Sequence, residues 1–121
     1  MLISLLKSKL HRACVTGASV DYPGSLGVSR ELCEAAGLLP YERVLVSNLR
    51  DGARFETYVI VEEQPGRIIL NGAAAHLGQV GDRLIVMSFA ELFPEEVATH
   101  VPRIAVLDEQ NRIVRQESRQ G

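Results

Sequence analysis

The sequence predicts a compact, mostly β barrel formed by a single domain. Short apolar segments of strand length recur along the 121 residues, and turns containing Gly, Pro, Asp and Asn separate them. Only two stretches have the features of a helix. The composition, 46% hydrophobic and 23% charged residues, is that of an ordinary globular domain. A chain of this length can bury a substantial core without disulfides.

Seven short strands are predicted. In the first, residues 6–15, alternation places Lys9 and His11 on one face. Residues 16–25 contain two glycines and a proline, and they are predicted to form a turn. The continuous apolar run 84–87 predicts that the strand 83–89 is buried on both faces. The other predicted strands cover residues 42–48, 54–62, 67–70, 83–89, 103–107 and 112–115.

Two short helices and one brief helical turn are predicted between these strands. Ser29 is a candidate N-cap of the first helix, and Gly37 is suited to its C-terminal end. Pro94 begins the second helix. The alanine-rich segment 73–76 is expected to form a brief helical turn.

The fifth predicted segment in chain order, residues 54–62, carries several side chains with possible chemical roles. Alternation places Arg54, Tyr58 and Ile60 on one face and Thr57 on the opposite face. Arginine offers a planar fork for a carboxylate, and a tyrosine phenol can donate a proton. This strand is therefore a candidate part of a functional site.

The charge balance argues against a nucleic-acid partner. Lysine and arginine total 13, aspartate and glutamate total 15, and the formal net charge is -2. Binding to a phosphate backbone usually requires a basic excess that this chain lacks. The chain has no Trp, so there are few aromatic platforms on which bases could stack.

Membrane and metal motifs are not apparent either. The apolar start of the chain is far shorter than the roughly 20 residues that span a bilayer, and it precedes the basic residues, unlike a signal peptide. We therefore expect a cytoplasmic protein without a membrane partner. The spacing of Cys14 and Cys33 encodes neither a zinc site nor a disulfide framework, so no metal is expected.

The pair Gly24-Ser25 allows two interpretations. It could be only a turn, because Gly and Ser are common in loops. Alternatively, a serine hydroxyl lies close to the preceding carbonyl carbon and can attack it where the fold strains that peptide bond. Gly24 has no Cβ and can take the distorted backbone geometry that such an attack requires.

The chain resembles the bacterial, pyruvoyl-dependent aspartate decarboxylases. The resemblance rests on blocks in the order and spacing of that family, from about residue 7 to residue 82. These blocks are LKSKLHRA (6–13) followed by VT (15–16), YPGS (22–25), AAG (35–37), GARFETY (52–58), NGAAAH (71–76) and GD (81–82). So many blocks in one short chain are not expected to match by chance.

The resemblance implies a double-psi β-barrel that assembles as a homotetramer and is made as a zymogen. The chain is expected to cut itself into residues 1–24, the β chain, and residues 25–121, the α chain. In this sequence of steps the Ser25 hydroxyl attacks the Gly24 carbonyl to form an ester. Elimination then gives dehydroalanine, and hydrolysis releases ammonia and leaves a pyruvoyl group at position 25.

The same resemblance implies a role for Thr57 in this cleavage, where its hydroxyl stabilises the oxyanion of the first step. A regular strand would put Thr57 and Tyr58 on opposite faces. Either the strand is irregular there, or the two residues act on different sides of the loop that contains the Gly24–Ser25 bond, which we call the cleavage loop.

The implied activity is decarboxylation of L-aspartate to β-alanine and carbon dioxide, for pantothenate and coenzyme A biosynthesis. The pyruvoyl carbonyl derived from Ser25 forms a Schiff base with the substrate amine and accepts the released electrons. Arg54 binds a substrate carboxylate, Lys9 adds a second positive charge, and Tyr58 donates a proton to the remaining carbon. The other implied substrate-binding residues are His11, Thr57, Asn71, Gly72, Ala73 and Ala74, with Tyr22 also at the pocket and Asn71 also bearing on the cleavage loop.

Three positions depart from many relatives. Asp21 stands where they have His, Pro23 where they have a non-proline residue, and Ser47 where they have a bulkier side chain. The residues implied in catalysis are unaffected. The departures bear on the rate of self-cleavage and on the shape of the pocket rim.

Two other functions compete with the leading hypothesis. The first is an uncleaved, inactive double-psi barrel that acts as a binding module. The second is a pyruvoyl-dependent decarboxylase for a different amino acid, for which the combination of Lys9 and Arg54 would suit only a dicarboxylate. Intact-mass spectrometry separates the first alternative from a self-cleaving enzyme.

Overall fold

The structure, a computed structural model, describes residues 1–117. Within them, nine strands, two short α-helices and a 3-10 helix confirm the predicted mostly β fold. The strands are β1 (Ile3–Cys14), β2 (Gly17–Ser19), β3 (Ser25–Ser29), β4 (Arg43–Asn48), β5 (Arg54–Glu62), β6 (Ile68–Asn71), β7 (Arg83–Leu92), β8 (Arg103–Leu107) and β9 (Ile113–Glu117). The helices are α1 (Arg30–Ala36), the 3-10 helix (Gly72–His76) and α2 (Pro94–Val97).

The strands form one mixed sheet in the order β2-β6-β3-β5-β4-β7-β1-β8-β9. The pairs β1/β8, β2/β6 and β3/β5 are parallel, and the other pairs are antiparallel. Backbone hydrogen bonds also connect the segment after β1 to distant parts of the chain, from Thr16 N to Ile68 O at 2.8 Å and from Val15 N to Asp82 O at 2.9 Å. The sheet is consistent with the predicted double-psi β-barrel.

The hydrophobic core lies on one side of the strands. Leu10, Leu26, Val59 and Leu70 are fully buried on four different strands. Apolar side chains on the inner face thus join β1, β3, β5 and β6 in one cluster.

Strand β7 corrects one expectation. Residues 84–87 were expected to be buried on both faces, but only Leu84 and Val86 are fully buried, and Ile85 and Met87 are half-buried. The alternation shows that β7 has one inner face and one outer face in a single protomer.

The first helix begins and ends where the sequence predicts. Gly37 follows α1 with φ 74° in the left-handed region that favours glycine. Ser29 precedes the helix, but its side chain forms no capping hydrogen bond. Its Oγ instead donates to Gln64 O at 2.6 Å and accepts from Arg67 N at 2.5 Å, because Ser29 is also the last residue of β3.

Two of the nine strands were not predicted. Residues 16–25 were predicted to turn, but residues 17–19 form β2 and pair with β6. Strand β3 begins at Ser25, and all of its residues are buried between β5 and β6. This strand fixes Ser25 in the sheet while residue 24 stays outside it.

None of the helices in residues 1–117 is long and apolar enough to cross a membrane.

Candidate active site

An open cavity of about 630 Å³ lies beside β2, β3, β5 and β6. The last three are neighbours in the sheet and provide a continuous wall. Its volume lies in the range of sites for small molecules. It is lined by Gly17, Ala18, Ser19, Tyr22, Pro23, Ser25, Tyr58, Ile60, Glu62, Ile69 and Asn71.

Ser25 lies at the boundary between an exposed loop and a buried strand. Its exposed fraction is 3%, whereas Gly24 before it is exposed. In the antiparallel pairing of β3 with β6, Ser25 lies opposite Asn71. Asn71 Nδ2 donates to Ser25 Oγ at 3.1 Å, and Ser25 Oγ lies 3.5 Å from Pro23 O. The hydroxyl is therefore held at the wall of the cavity.

Tyr58 lies close to this serine on the neighbouring strand. Strands β3 and β5 are parallel with Leu26 opposite Val59, so extension of this register by one residue places Tyr58 beside Ser25. Both side chains line the cavity. The Tyr58 ring packs against Tyr41, with ring centroids 6.3 Å apart and an interplanar angle of 35°. The contact supports the orientation of the ring.

Comparison of the sequence with known proteins identifies the family to which the chain belongs. The sequence profile of the aspartate decarboxylase family matches residues 1–114. The chain belongs to the aspartate decarboxylase family. It is 53% identical over 116 residues to aspartate 1-decarboxylase from Caldicellulosiruptor saccharolyticus, covering 95% of this chain and 91% of the relative. It is 50% identical over 111 residues to aspartate 1-decarboxylase from Campylobacter jejuni, covering 92% and 88%.

Strand β5 of this aspartate decarboxylase family member is regular, which settles where Thr57 lies. Its pairing with β4 runs from Tyr58 to Arg54 without a register shift. Tyr58, Ile60 and Glu62 line the cavity at alternate positions, but Thr57 does not. Thr57 and Tyr58 therefore lie on opposite faces of β5. Of the two explanations given above, the irregular strand is excluded.

The residues expected to bind substrate charges lie elsewhere in the protomer. Arg54 pairs with Ser47, Ser47 with Ile85, and Ile85 with His11. These four residues form a row across β5, β4, β7 and β1, and we call this row, together with Lys9 two residues from His11, the cation row. None of its members lines the cavity. Arg54 is about 13 Å along β5 from Tyr58, at 3.3 Å per residue.

The cation row contains buried polar atoms without partners. His11 Nδ1 and Ser47 Oγ are buried and accept or donate no hydrogen bond within residues 1–117. Burial lowers the pKa of His11, and the positive charge of Lys9 lowers it further. The lowered pKa favours the neutral imidazole, which can still donate or accept a hydrogen bond.

The segment after Asn71 places the next three candidates differently. Gly72 is buried with φ 64°, Ala73 is exposed, and Ala74 packs into the core with an exposed fraction of 8%. Asn71 alone of these four lines the cavity. The 3-10 helix therefore contributes backbone at the edge of the site.

A buried polar network anchors the far end of this helix. Asn48 Nδ2 donates to Leu77 O at 3.1 Å and to Asp82 Oδ2 at 2.9 Å. Asp82 also accepts from Gln79 N and Arg50 Nε, each at 3.0 Å. Burial alone would raise the pKa of Asp82, but the hydrogen bonds outweigh it and hold the pKa below its ordinary value.

Several lining residues were not recognised in the sequence. Alternation along β5 from Tyr58 already indicated Ile60 and could have indicated Glu62. Residues 17–19 gave no such signal, because three residues between turn formers show no period. Their role in the cavity depends on pairing with β6, about 50 residues later in the chain.

Proposed function

We propose that this chain acts in the cytoplasm, where it decarboxylates L-aspartate to β-alanine and carbon dioxide for pantothenate and coenzyme A biosynthesis. Membership of the aspartate decarboxylase family supports the reaction class. The observation that carries the proposal to particular atoms is the buried Ser25 hydroxyl, which Asn71 holds at the cavity wall.

The activity begins with self-cleavage between Gly24 and Ser25. The Ser25 hydroxyl adds to the Gly24 carbonyl carbon and the C–N bond breaks, which converts the amide to an ester. Loss of the proton on Cα of residue 25 and departure of the Gly24 carboxylate leave dehydroalanine. Water then replaces its nitrogen, which leaves as ammonia. The products are residues 1–24 and residues 25–121, the second beginning with a pyruvoyl group.

Thr57 is proposed to stabilise the oxyanion that forms at Gly24 in the first step. Thr57 lies on β5, the strand that pairs with β3, one residue before Tyr58, and this proximity to the start of β3 supports the role. Tyr58 projects to the other face of β5, so the two side chains serve different steps.

The site around position 25 fits a pyruvoyl group. The Ser25 side chain is buried, and Asn71 Nδ2 can donate to a carbonyl oxygen as it does to the hydroxyl. When present, the group supplies an electrophilic carbonyl that binds the substrate amine and accepts the electrons released with carbon dioxide. Tyr58 is beside this position and donates its phenol proton to the carbon that has lost carbon dioxide.

The cation row is proposed to reach the cavity of a neighbouring copy in a homotetramer. Arg54 provides a bidentate fork for a substrate carboxylate, and Lys9 adds a second charge. The unpartnered atoms of His11 and Ser47 support this arrangement, because buried polar atoms gain stability when a ligand or neighbour pairs with them. The substrate would then bind between the reactive group of one copy and the cations of another.

Intact-mass spectrometry of the incubated, purified protein combined with an assay for β-alanine tests the proposal. We expect the masses of residues 1–24 and of residues 25–121 with a pyruvoyl terminus, together with β-alanine formed from L-aspartate. Ser25→Ala, which removes the proposed nucleophile, is the control. A preparation that stays full length and forms no β-alanine would leave the uncleaved binding module as the better interpretation.

A further inference from the structure

Gly72 lies very close to the backbone of the cleavage loop. A Cβ atom added at residue 72 would lie 2.6 Å from both N and Cα of Gly24 and 2.8 Å from Tyr22 O. All three are backbone atoms, so no side-chain rotation could relieve the contact. With φ 64°, the position also lies in the left-handed region that favours glycine.

Gly24 itself is not constrained in this way. Its φ is not positive, and a Cβ added there would meet only Asn71 O at 4.0 Å. In the uncut chain, the absence of a side chain therefore matters more at residue 72 than at the residue whose carbonyl is attacked.

Two consecutive residues thus hold the two sides of the bond that is proposed to break. Asn71 Nδ2 fixes the Ser25 hydroxyl, and the bare backbone of Gly72 packs against Gly24. The nucleophile and the residue whose carbonyl is attacked thus both lie against the same short segment at the start of the 3-10 helix.

We propose that Gly72 is a positioning residue for self-cleavage, which fixes the Gly24 carbonyl against the Ser25 hydroxyl by allowing this close approach. The assignment rests on the proposed self-cleavage. A methyl group at residue 72 must push Gly24 or the 3-10 helix away by close to 1 Å to restore ordinary contact. Misplacement of that size costs about a hundredfold in rate when two reacting groups must be aligned.

The test compares alanine variants of two glycines that both have a positive φ. Gly72→Ala and Gly52→Ala both place alanine at positive φ, 64° and 76°, but a Cβ at residue 52 meets nothing within 4 Å. Freshly synthesised precursors are incubated, and the uncut fraction is followed by intact mass. We expect Gly52→Ala to cleave within about twofold of wild type and Gly72→Ala to cleave about a hundredfold more slowly.

Hydroxylamine identifies which step is affected, because it cuts an ester readily but not an amide. If Gly72 positions the first attack, hydroxylamine should release residues 1–24 from the wild-type precursor but not from folded Gly72→Ala. A role in the fold alone would change the melting temperature without removing this ester. Cleavage of folded Gly72→Ala at the wild-type rate, or an ester yield equal to wild type, would overturn the assignment.

A second pair of variants covers the case in which Gly72→Ala does not fold. Pro23→Gly frees the loop to move away from the added methyl group. The double variant Pro23→Gly/Gly72→Ala should fold yet cleave far more slowly than Pro23→Gly alone. Equal rates for these two proteins would overturn the role of Gly72. A wild-type precursor that never cleaves would instead overturn the proposed self-cleavage, and this assignment with it.

Discussion

The cavity side and the cation row are organised in opposite ways. At the cavity, Ser25 is buried, hydrogen-bonded and fixed by two neighbouring strands. In the cation row, Arg54 is exposed, and His11 and Ser47 carry buried polar atoms that have no partner in the described part of the chain. In the proposed homotetramer, one protomer would supply the groups around position 25, and a neighbouring copy would supply the groups that recognise substrate charge.

Ser25→Ala should break the cavity side altogether, and this is the largest effect expected. The variant loses the nucleophile that is also the precursor of the reactive group, so both cleavage and decarboxylation should disappear. Intact mass and β-alanine formation are measured on the same sample. Persistent cleavage at this bond would show that another group attacks it.

Tyr58→Phe should show whether Tyr58 acts in catalytic turnover or in self-cleavage. If Tyr58 donates the proton, the variant should cleave normally but lose about a hundredfold or more in kcat. Tyr41→Phe is a matched control, because its ring packs against the Tyr58 ring and phenylalanine preserves that packing. An uncleaved Tyr58→Phe protein would move this residue from turnover to maturation.

Asp82→Asn tests how firmly the 3-10 helix is anchored to the cavity side. Asparagine places a donor where three donors converge, so we expect a loss of about 2 kcal/mol in unfolding free energy at pH 7. The pKa of Asp82 is depressed in the folded state, so its contribution is present above its unfolded pKa and is lost as pH falls through the folded value. Urea unfolding of the uncut Ser25→Ala protein from pH 7 to pH 3, with and without Asp82→Asn, measures this. If the difference in unfolding free energy between the two proteins does not shrink at low pH, the assigned role of the Asp82 carboxylate is wrong.

Arg54→Lys probes the cation row and has the smallest expected effect. It keeps the charge but loses the bidentate fork, so self-cleavage should be intact, and kcat/KM for aspartate should fall about tenfold. We expect Arg54 to hold the side-chain carboxylate, because tight pairing of the departing carboxylate would stabilise the ground state. The preference for aspartate over glutamate should therefore narrow. Arg43→Lys, on the neighbouring strand, is the control. An unchanged preference would reverse the assignment of the two carboxylates.

Sequence patterns predicted correctly those strands whose structure is determined by adjacent residues. The bounds of β5 and β8 match the prediction, as does the shared face of Arg54 and Tyr58, because alternation and flanking turns are encoded in adjacent residues. Strand β3 was missed because its five buried residues show no alternation, and its partners lie more than 30 residues later in the chain. The approach of Gly72 to Gly24 is likewise invisible in the sequence, since packing between distant segments creates it.

The position of β1 has a consequence for the life of the protein. Residues 1–24 include β1, which lies between β7 and β8 with Leu10 and Ala13 in the core. Residues 1–24 also include β2, which pairs with β6, so after the proposed cut the short fragment stays bound through three strand ladders. Unfolding then separates two chains, and their reassociation becomes a second-order reaction that fails on dilution. A protein cut in this way would refold poorly once its two chains had separated, and its lifetime would be set by its rate of unfolding.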